Sequence, residues 1–172
     1  QRIVQAKQQN PAMKEVIVDP RVTATCDIAD LNLPLAPGSD AGLFVGLLNA
    51  IAAGKGLIDD FDDARAALDV ARAWTVEKVA AFCDLPPESV SAFFDLFLTA
   101  PRAITLHTMG TNQSVSGSDK CNAIINVPPA SGKFARVGCR PLSLTLPPIP
   151  LGGRDVGGLV LHLAASMNSA PP

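Results

Sequence analysis

Apolar residues along the chain change their spacing several times, and each change marks an element. Arg2 to Asn10 is polar and Gln-rich, with Ile3, Val4 and Ala6 as its apolar positions, and predicts an amphipathic helix that Asn10 and Pro11 stop. Glu15 to Val18 is a short β-branched run and predicts a strand ending at Asp19 and Pro20. Helix, short turn and buried strand form half of a βαβ unit, so a first strand and its phosphate loop are expected before Gln1. Asp27 to Leu35 reads as a second extended piece carrying Ile28, Leu31, Leu33 and Leu35, in which Pro34 argues against a central strand.

Pro37, Gly38, Ser39 and Asp40 introduce a helix that Ser39 or Asp40 is expected to cap. Its Leu43, Leu47, Ile51 and Phe44, Leu48 repeat at i, i+4 and give it a wide apolar face, closed by Gly54 and Gly56. The charged stretch Asp59, Asp60, Asp62, Asp63, Arg65 leads into a short Ala-rich helix ending near Trp74. Thr75 is placed to cap a helix from Val76 to Cys83, and Pro86 and Pro87 open another, with Val90, Phe93, Phe94, Phe97 and Leu98 on one face and Pro101 at its end. Ala103 to His107 predicts a strand, Thr108 to Gln113 a polar turn, and Lys120 to Val127 a helix. Pro128 to Gly158 is rich in Gly and Pro with isolated Leu residues and predicts no regular element; a loop of that length is usually functional or docked against another part of a protein. Leu159 to Met167 again has a helical pattern. Because a helical pattern is already running at Gln1, and no element follows Met167, a segment of a longer protein is expected.

Composition narrows the partners. The chain has 172 residues, 48% hydrophobic and 17% charged, against roughly 25% charged in an average domain, so it can build a core and is not a disordered segment. Its net charge of −2 comes from 14 basic and 16 acidic side chains mixed along the chain, which leaves no electrostatic footprint for nucleic acid. No apolar run reaches the roughly 18 to 20 residues of a membrane span, and with no secretory pattern at the start a cytoplasmic location is expected. Cys26, Cys83, Cys121 and Cys139 form no C-x-x-C pair and read as ordinary thiols.

Three places can carry binding chemistry, and each has a plainer reading beside it. Asp19 ends a strand where an acidic side chain can meet the ribose of a nucleotide, or where Asp-Pro simply makes a turn. Gly38, Ser39 and Asp40 offer backbone amides and a carboxylate to the amino and imino groups of a purine, or cap a helix. Met109, Gly110, Asn112 and Gln113 follow a strand directly and can fix a neutral heterocycle, or form an ordinary turn. Ser114 and Ser116 lie outside any G-x-S-x-G, and His107 and His162 have no evident catalytic partner. The run from Gly152 to Gly158 is Gly-rich but lacks the Lys-Ser/Thr of a P-loop.

Taken in order, Val16 to Asp30, Leu33 to Asp40, Met109 to Ser114 and Gly117 to Asn126 resemble the molybdopterin oxidoreductase family, on its assimilatory nitrate reductase branch, from Gln1 to about Met167. The resemblance implies an α/β fold: a three-layer α/β/α, Rossmann-like piece with a short, mostly parallel sheet, several helices and a long Gly/Pro-rich C-terminal loop region. Residues 1–172 would be an interior fragment of the domain that binds molybdopterin guanine dinucleotide. It implies bis-molybdopterin guanine dinucleotide with molybdenum as cofactor, and reduction of nitrate to nitrite as the reaction. On matching positions, Asp19, Pro20, Arg21, Val22 and Thr23 would meet one guanosine and its ribose. Gly38, Ser39 and Asp40 would hold the guanine, and Met109, Gly110 and Gln113 would lie near the pterin and the molybdenum. The family's 4Fe-4S cluster and its molybdenum-ligating Cys would precede Gln1, so the resemblance gives this chain no catalytic residue and no metal ligand. The implied partners are nitrate, the remaining domains of the same protein and an electron-donor protein or domain. The chain departs from the family in a shortened stretch between Asp59 and Ala64, in Leu146, Pro147, Pro148 and Ile149 where a Gly-Gln-Pro-Asn-like run is usual, and in Ala135 and Arg140 at positions usually Gly. A formate dehydrogenase-like member and a cofactor-free remnant are the alternative readings.

Overall fold

In the computed structural model, residues 2–54, 64–133 and 136–144 of the chain are described. Helix α1 (Arg2–Gln9) precedes strand β1 (Val16–Val18), as the β-branched run predicts. β1 pairs in parallel with strand β2 (Leu31–Leu33), with Val16 opposite Leu31 and Val18 opposite Leu33. A parallel return needs a crossover, and the chain makes one by coiling Ala24–Ile28 into a short 3-10 helix. The extended piece expected over Asp27 to Leu35 therefore shrinks to Leu31–Leu33, and ends where Pro34 says a strand should.

α1 buries no residue and is held through one carboxylate. Lys7 donates to the Ile28 carbonyl and to Asp30. Lys14 Nζ donates to Asp30 Oδ1 at 3.0 Å, and the Glu15 amide donates to Asp30 Oδ2 at 2.8 Å. These donors, Lys7 first and the Glu15 amide next, hold the Asp30 carboxyl well below the usual carboxylate range.

Helix α2 (Asp40–Ala53) is the core helix: Gly42, Leu43, Phe44, Gly46, Leu47, Leu48 and Ile51 are all buried. Helices α3 (Ala64–Ala71), α4 (Val76–Cys83) and α5 (Pro87–Thr99) pack around it. Thr75 caps α4 as expected, accepting a hydrogen bond from the Lys78 amide. Asp84, with φ 55°, turns the chain from α4 into α5. Val90, Phe93, Phe94 and Phe97 of α5 are buried, and the ring of Phe93 meets Phe44 edge to face.

Strand β3 (Ile104–His107) pairs in parallel with strand β4 (Arg140–Ser143), so that Leu106 lies opposite Leu142 and His107 opposite Ser143. Between them come the single turn α6 (Met109–Asn112) and helix α7 (Gly117–Ala130), which packs along α2 through Ile124 and Val127. Two expectations are corrected here. β4 lies in the stretch expected to be irregular, because Arg140–Ser143 carries no local pattern and is defined by its pairing with β3. α7 also starts three residues before Lys120 and runs through Pro128 and Pro129. Each proline lacks the amide that would meet the carbonyl four residues back, a loss placed at the end of the helix, where Ser131 and Lys133 still donate to the Val127 and Pro128 carbonyls.

The expected α/β class with short parallel sheets is what forms. Among the described residues no helix is long and apolar enough to cross a membrane. Gly56, Asp59 to Asp63, Ala135, Leu146 to Ile149, Gly152 to Gly158, His162 and the pattern from Leu159 to Met167 lie outside the described residues.

Candidate functional site

Because Val18 lies opposite Leu33, the segments Asp19–Thr23 and Pro34–Asp40 leave the sheet at the same edge, outside the carboxyl ends of two parallel strands. Asp19 Oδ1 accepts a hydrogen bond from the Arg21 amide at 2.8 Å and sits 3.6 Å from Arg21 Nε. This is an Asx-type turn, and it presents Pro20, Arg21 and Val22 to the outside, Val22 at 73% exposure, while Thr23 is half-buried.

The second segment differs from its expected role as a cap. Ser39 is buried and its hydroxyl donates back to the Ala36 carbonyl at 2.7 Å, so neither its side chain nor that of Asp40 is spent on closing the first turn of α2. Gly38 has φ +93°, which favours glycine, and among the described residues no non-neighbouring heavy atom lies within 4 Å of where a Cβ would be. The backbone leading into α2 is thus open to an approaching group. Asp40 Oδ2 stands 2.8 Å from Lys120 Nζ. The Lys120 side chain is only 4% exposed and that of Asp40 18%, so a nearly buried ion pair joins the first turn of α2 to α7.

The third segment follows β3. Met109, Gly110 and Gln113 are exposed, and Met109–Asn112 winds into α6 rather than forming an open turn. Gly110, like Gly38, has free space where a Cβ would project. In the same stretch of chain His107 Nδ1, Thr108 Oγ1 and Asn112 Oδ1 are buried without a hydrogen-bond partner among the described residues. Asn112 Nδ2 donates weakly to Ser143 Oγ at the end of β4, at 3.4 Å. Burial pushes the His107 imidazole below its ordinary value, so it is neutral near pH 7 and offers one donor and one acceptor. Three buried polar atoms without partners at the end of one strand are costly unless a further group meets them.

α7 connects the second and third segments. Gly117 at its start lies so close to α6 that a Cβ there would be 2.3 Å from the Asn112 carbonyl oxygen, and Lys120 one turn on reaches Asp40. The residues that sequence reasoning missed are Lys120 and Thr108, together with the buried, unpartnered Nδ1 of His107. Lys120 had a signal: Gly117, Lys120, Ile124 and Val127 are all buried, at spacings of three, four and three, which puts a lysine on an apolar stripe.

Among the described residues no group of three or more His, Cys, Asp or Glu is arranged to hold a metal. Cys83 and Cys139 are buried, Cys26 and Cys121 half-buried, and all four are free thiols. Burial pushes the Cys83 thiol up, away from reactivity.

The molybdopterin oxidoreductase family model matches residues 1–171. A nitrate reductase of Klebsiella oxytoca is 62% identical over 171 residues, which are 99% of this chain and 20% of that protein. A nitrate reductase of Synechocystis is 34% identical over 167 residues, 92% of this chain and 23% of that protein. Among solved structures, acetylene hydratase from Pelobacter acetylenicus shares the fold with a TM-score of 0.62 at 22% identity, over 78% of this chain and 19% of that one. The chain spans about a fifth of the length of the curated relatives it matches.

Proposed function

We propose that this chain, which belongs to the molybdopterin oxidoreductase family, is part of a nitrate reductase and binds part of bis-molybdopterin guanine dinucleotide at the carboxyl ends of β1, β2 and β3. The observation that carries the binding half of this reading is the set of buried polar atoms on His107, Thr108 and Asn112 that have no partner among the described residues, on either side of Gly110 in the chain. The residues fit the group: a pterin is a heterocycle bearing adjacent donors and acceptors, and a purine nucleotide needs carboxylates and open backbone amides. Asp19 and the turn through Thr23 take the guanosine and its ribose, while Gly38, Ser39 and Asp40 take the guanine. Met109, Gly110 and Gln113 line the pterin end. When bound, the cofactor supplies molybdenum for two-electron reduction of nitrate to nitrite.

The choice of nitrate is supported by the 62% identity to the Klebsiella nitrate reductase. Electrons arrive from a donor protein or domain by way of a 4Fe-4S cluster held elsewhere in the protein, and the enzyme works in the cytoplasm. The test is full-length protein purified from a host that makes the cofactor, assayed for molybdenum, guanine nucleotide and turnover. Molybdenum and guanine nucleotide are expected to copurify, with nitrate-dependent oxidation of a reduced viologen dye. Protein without molybdenum would refute the enzyme reading and favour a cofactor-free remnant. Protein with the metal that oxidises formate and leaves nitrate untouched would keep the cofactor and overturn the substrate.

A further inference from the structure

We propose that Lys120 is the positioning residue for Asp40, fixing its carboxylate as the purine-reading acceptor and tying the guanine end of the site to the pterin end through α7. The inference rests on the guanine reading of Asp40 given above and adds a residue and a mechanism to it.

Lys120 Nζ lies 2.8 Å from Asp40 Oδ2, and the lysine side chain is 96% covered. Asp40 Oδ2 is itself buried against the lysine, so that oxygen is fixed inside the fold and Oδ1 is left to face a ligand. Guanine presents its N1–H and 2-amino group side by side, two donors toward one acceptor edge, whereas adenine presents a donor beside an unprotonated ring nitrogen. A carboxylate oxygen so placed therefore favours the first pattern and repels the second. Ser39 beside it is bonded to Ala36, so the orientation of Asp40 depends on Lys120 and not on a capping contact.

The same lysine transmits position. Gly117, three residues earlier on α7, lies against the Asn112 carbonyl, and Asn112 belongs to the turn that carries Met109 and Gly110. Shifting Lys120 with respect to Asp40 moves α7, and moving α7 moves that turn. The two ends of one cofactor thus share a single rigid reference.

The experiment uses full-length holoprotein from a cofactor-producing host and measures loss of guanine nucleotide and molybdenum during dialysis, alongside thermal melting of the cofactor-free protein. Lys120→Met is expected to speed nucleotide loss about tenfold or more, because Asp40 loses its nearly buried ion-pair partner. Lys120→Arg, which keeps the charge, should recover part of it. In a cycle with Asp40→Asn, the double variant should lose nucleotide no faster than Asp40→Asn alone. Additive effects, or wild-type retention in Lys120→Met despite a lowered melting temperature, would make the pair a purely structural one and overturn the inference. If Lys120→Met does not fold, Lys120→Arg decides: retention still closer to wild type than that of Asp40→Asn supports the proposal, and equal loss refutes it. Failure of the guanine reading looks different, since wild-type protein would then hold no guanine nucleotide, or Asp40→Asn would leave its retention unchanged.

Discussion

Two glycines seven positions apart should respond to alanine in opposite ways, one through the fold and one through the ligand. At Gly117 a new Cβ would stand 2.3 Å from the Asn112 oxygen, 2.7 Å from its carbonyl carbon and 3.2 Å from its Cα. These are backbone atoms and cannot rotate away. Since carbon and oxygen approach comfortably only at about 3.3 Å or more, α6 and α7 must separate by about 1 Å. Overpacking of this kind costs about 1–3 kcal/mol, and the helical preference of Ala over Gly returns at most about 1 kcal/mol, less at a first helical position. The net expectation is a local destabilisation of about 1–2 kcal/mol, or roughly a 5- to 30-fold rise in local opening. Gly110 has open space at its Cβ position and no positive φ, so Gly110→Ala should leave the protein as stable as before, or slightly more so. The methyl group would, however, occupy the space proposed to receive the pterin. Hydrogen exchange on cofactor-free full-length protein, read over Ile104 to Ala130, should show faster exchange in Gly117→Ala and none in Gly110→Ala. Cofactor retention in the holoprotein should fall in both. Unchanged exchange in Gly117→Ala would refute the packing argument, and wild-type retention in Gly110→Ala would remove that face of α6 from the binding site.

Two further expectations concern pH. Asp30, held below the usual carboxylate range by Lys7, the Glu15 amide and Lys14, contributes stability that is present above about pH 4, the unfolded value, and lost as pH falls further toward its folded value. Asp30→Asn should lower stability at pH 7 by about 1 kcal/mol after allowance for solvent screening, and melting curves should show the gap from wild type closing in acid; a gap constant with pH would sink the assignment. His107 is neutral in the fold because burial lowers its pKa, so its contribution is intact above about pH 6.5 and declines below that, where the unfolded chain takes up a proton that the folded one refuses. His107→Gln should remove that part of the decline below about pH 6.5, and an identical melting profile in wild type and variant would show that the imidazole is not shielded.

Local regularity decided what could be read from the sequence. α2, α4 and α5 repeat their apolar residues at helical spacing, and Thr75 and Pro87 stand where a cap and a first turn need them, so pattern and packing agree. Ser39 shows the limit of such reasoning: its residue type suits a cap, yet its hydroxyl turns back to Ala36 because the chain arrives through Gly38 at φ +93°. β2 was overextended since Ile28 to Leu35 carries frequent apolar residues, and only the crossover demanded by parallel pairing converts its first part into a 3-10 turn. β4 has a single apolar residue, Leu142, and exists through register with β3, which no short window contains. The three candidate segments were legible through motif order. The ion pair between Asp40 and Lys120 was not, because it joins residues 80 positions apart on two helices.

That ion pair also explains how small elements can hold a precise site. Among the described residues β1 and β2 form one strand pair and β3 and β4 another, so no shared sheet fixes the Asp19 and Asp40 segments against the turn after β3. The seam between α2 and α7 does so instead. It is apolar where Leu43 and Leu47 share a core with Ile124 and Val127, and an apolar seam alone resists sliding weakly, since dispersion and burial change little over a small shift. A buried lysine at one end changes this, because sliding would leave its charge without a partner at a cost of several kcal/mol. Lys120 therefore ties the register of the two helices to Asp40, and on the proposed guanine reading specificity for the base and spacing of the loops would both follow from this one contact.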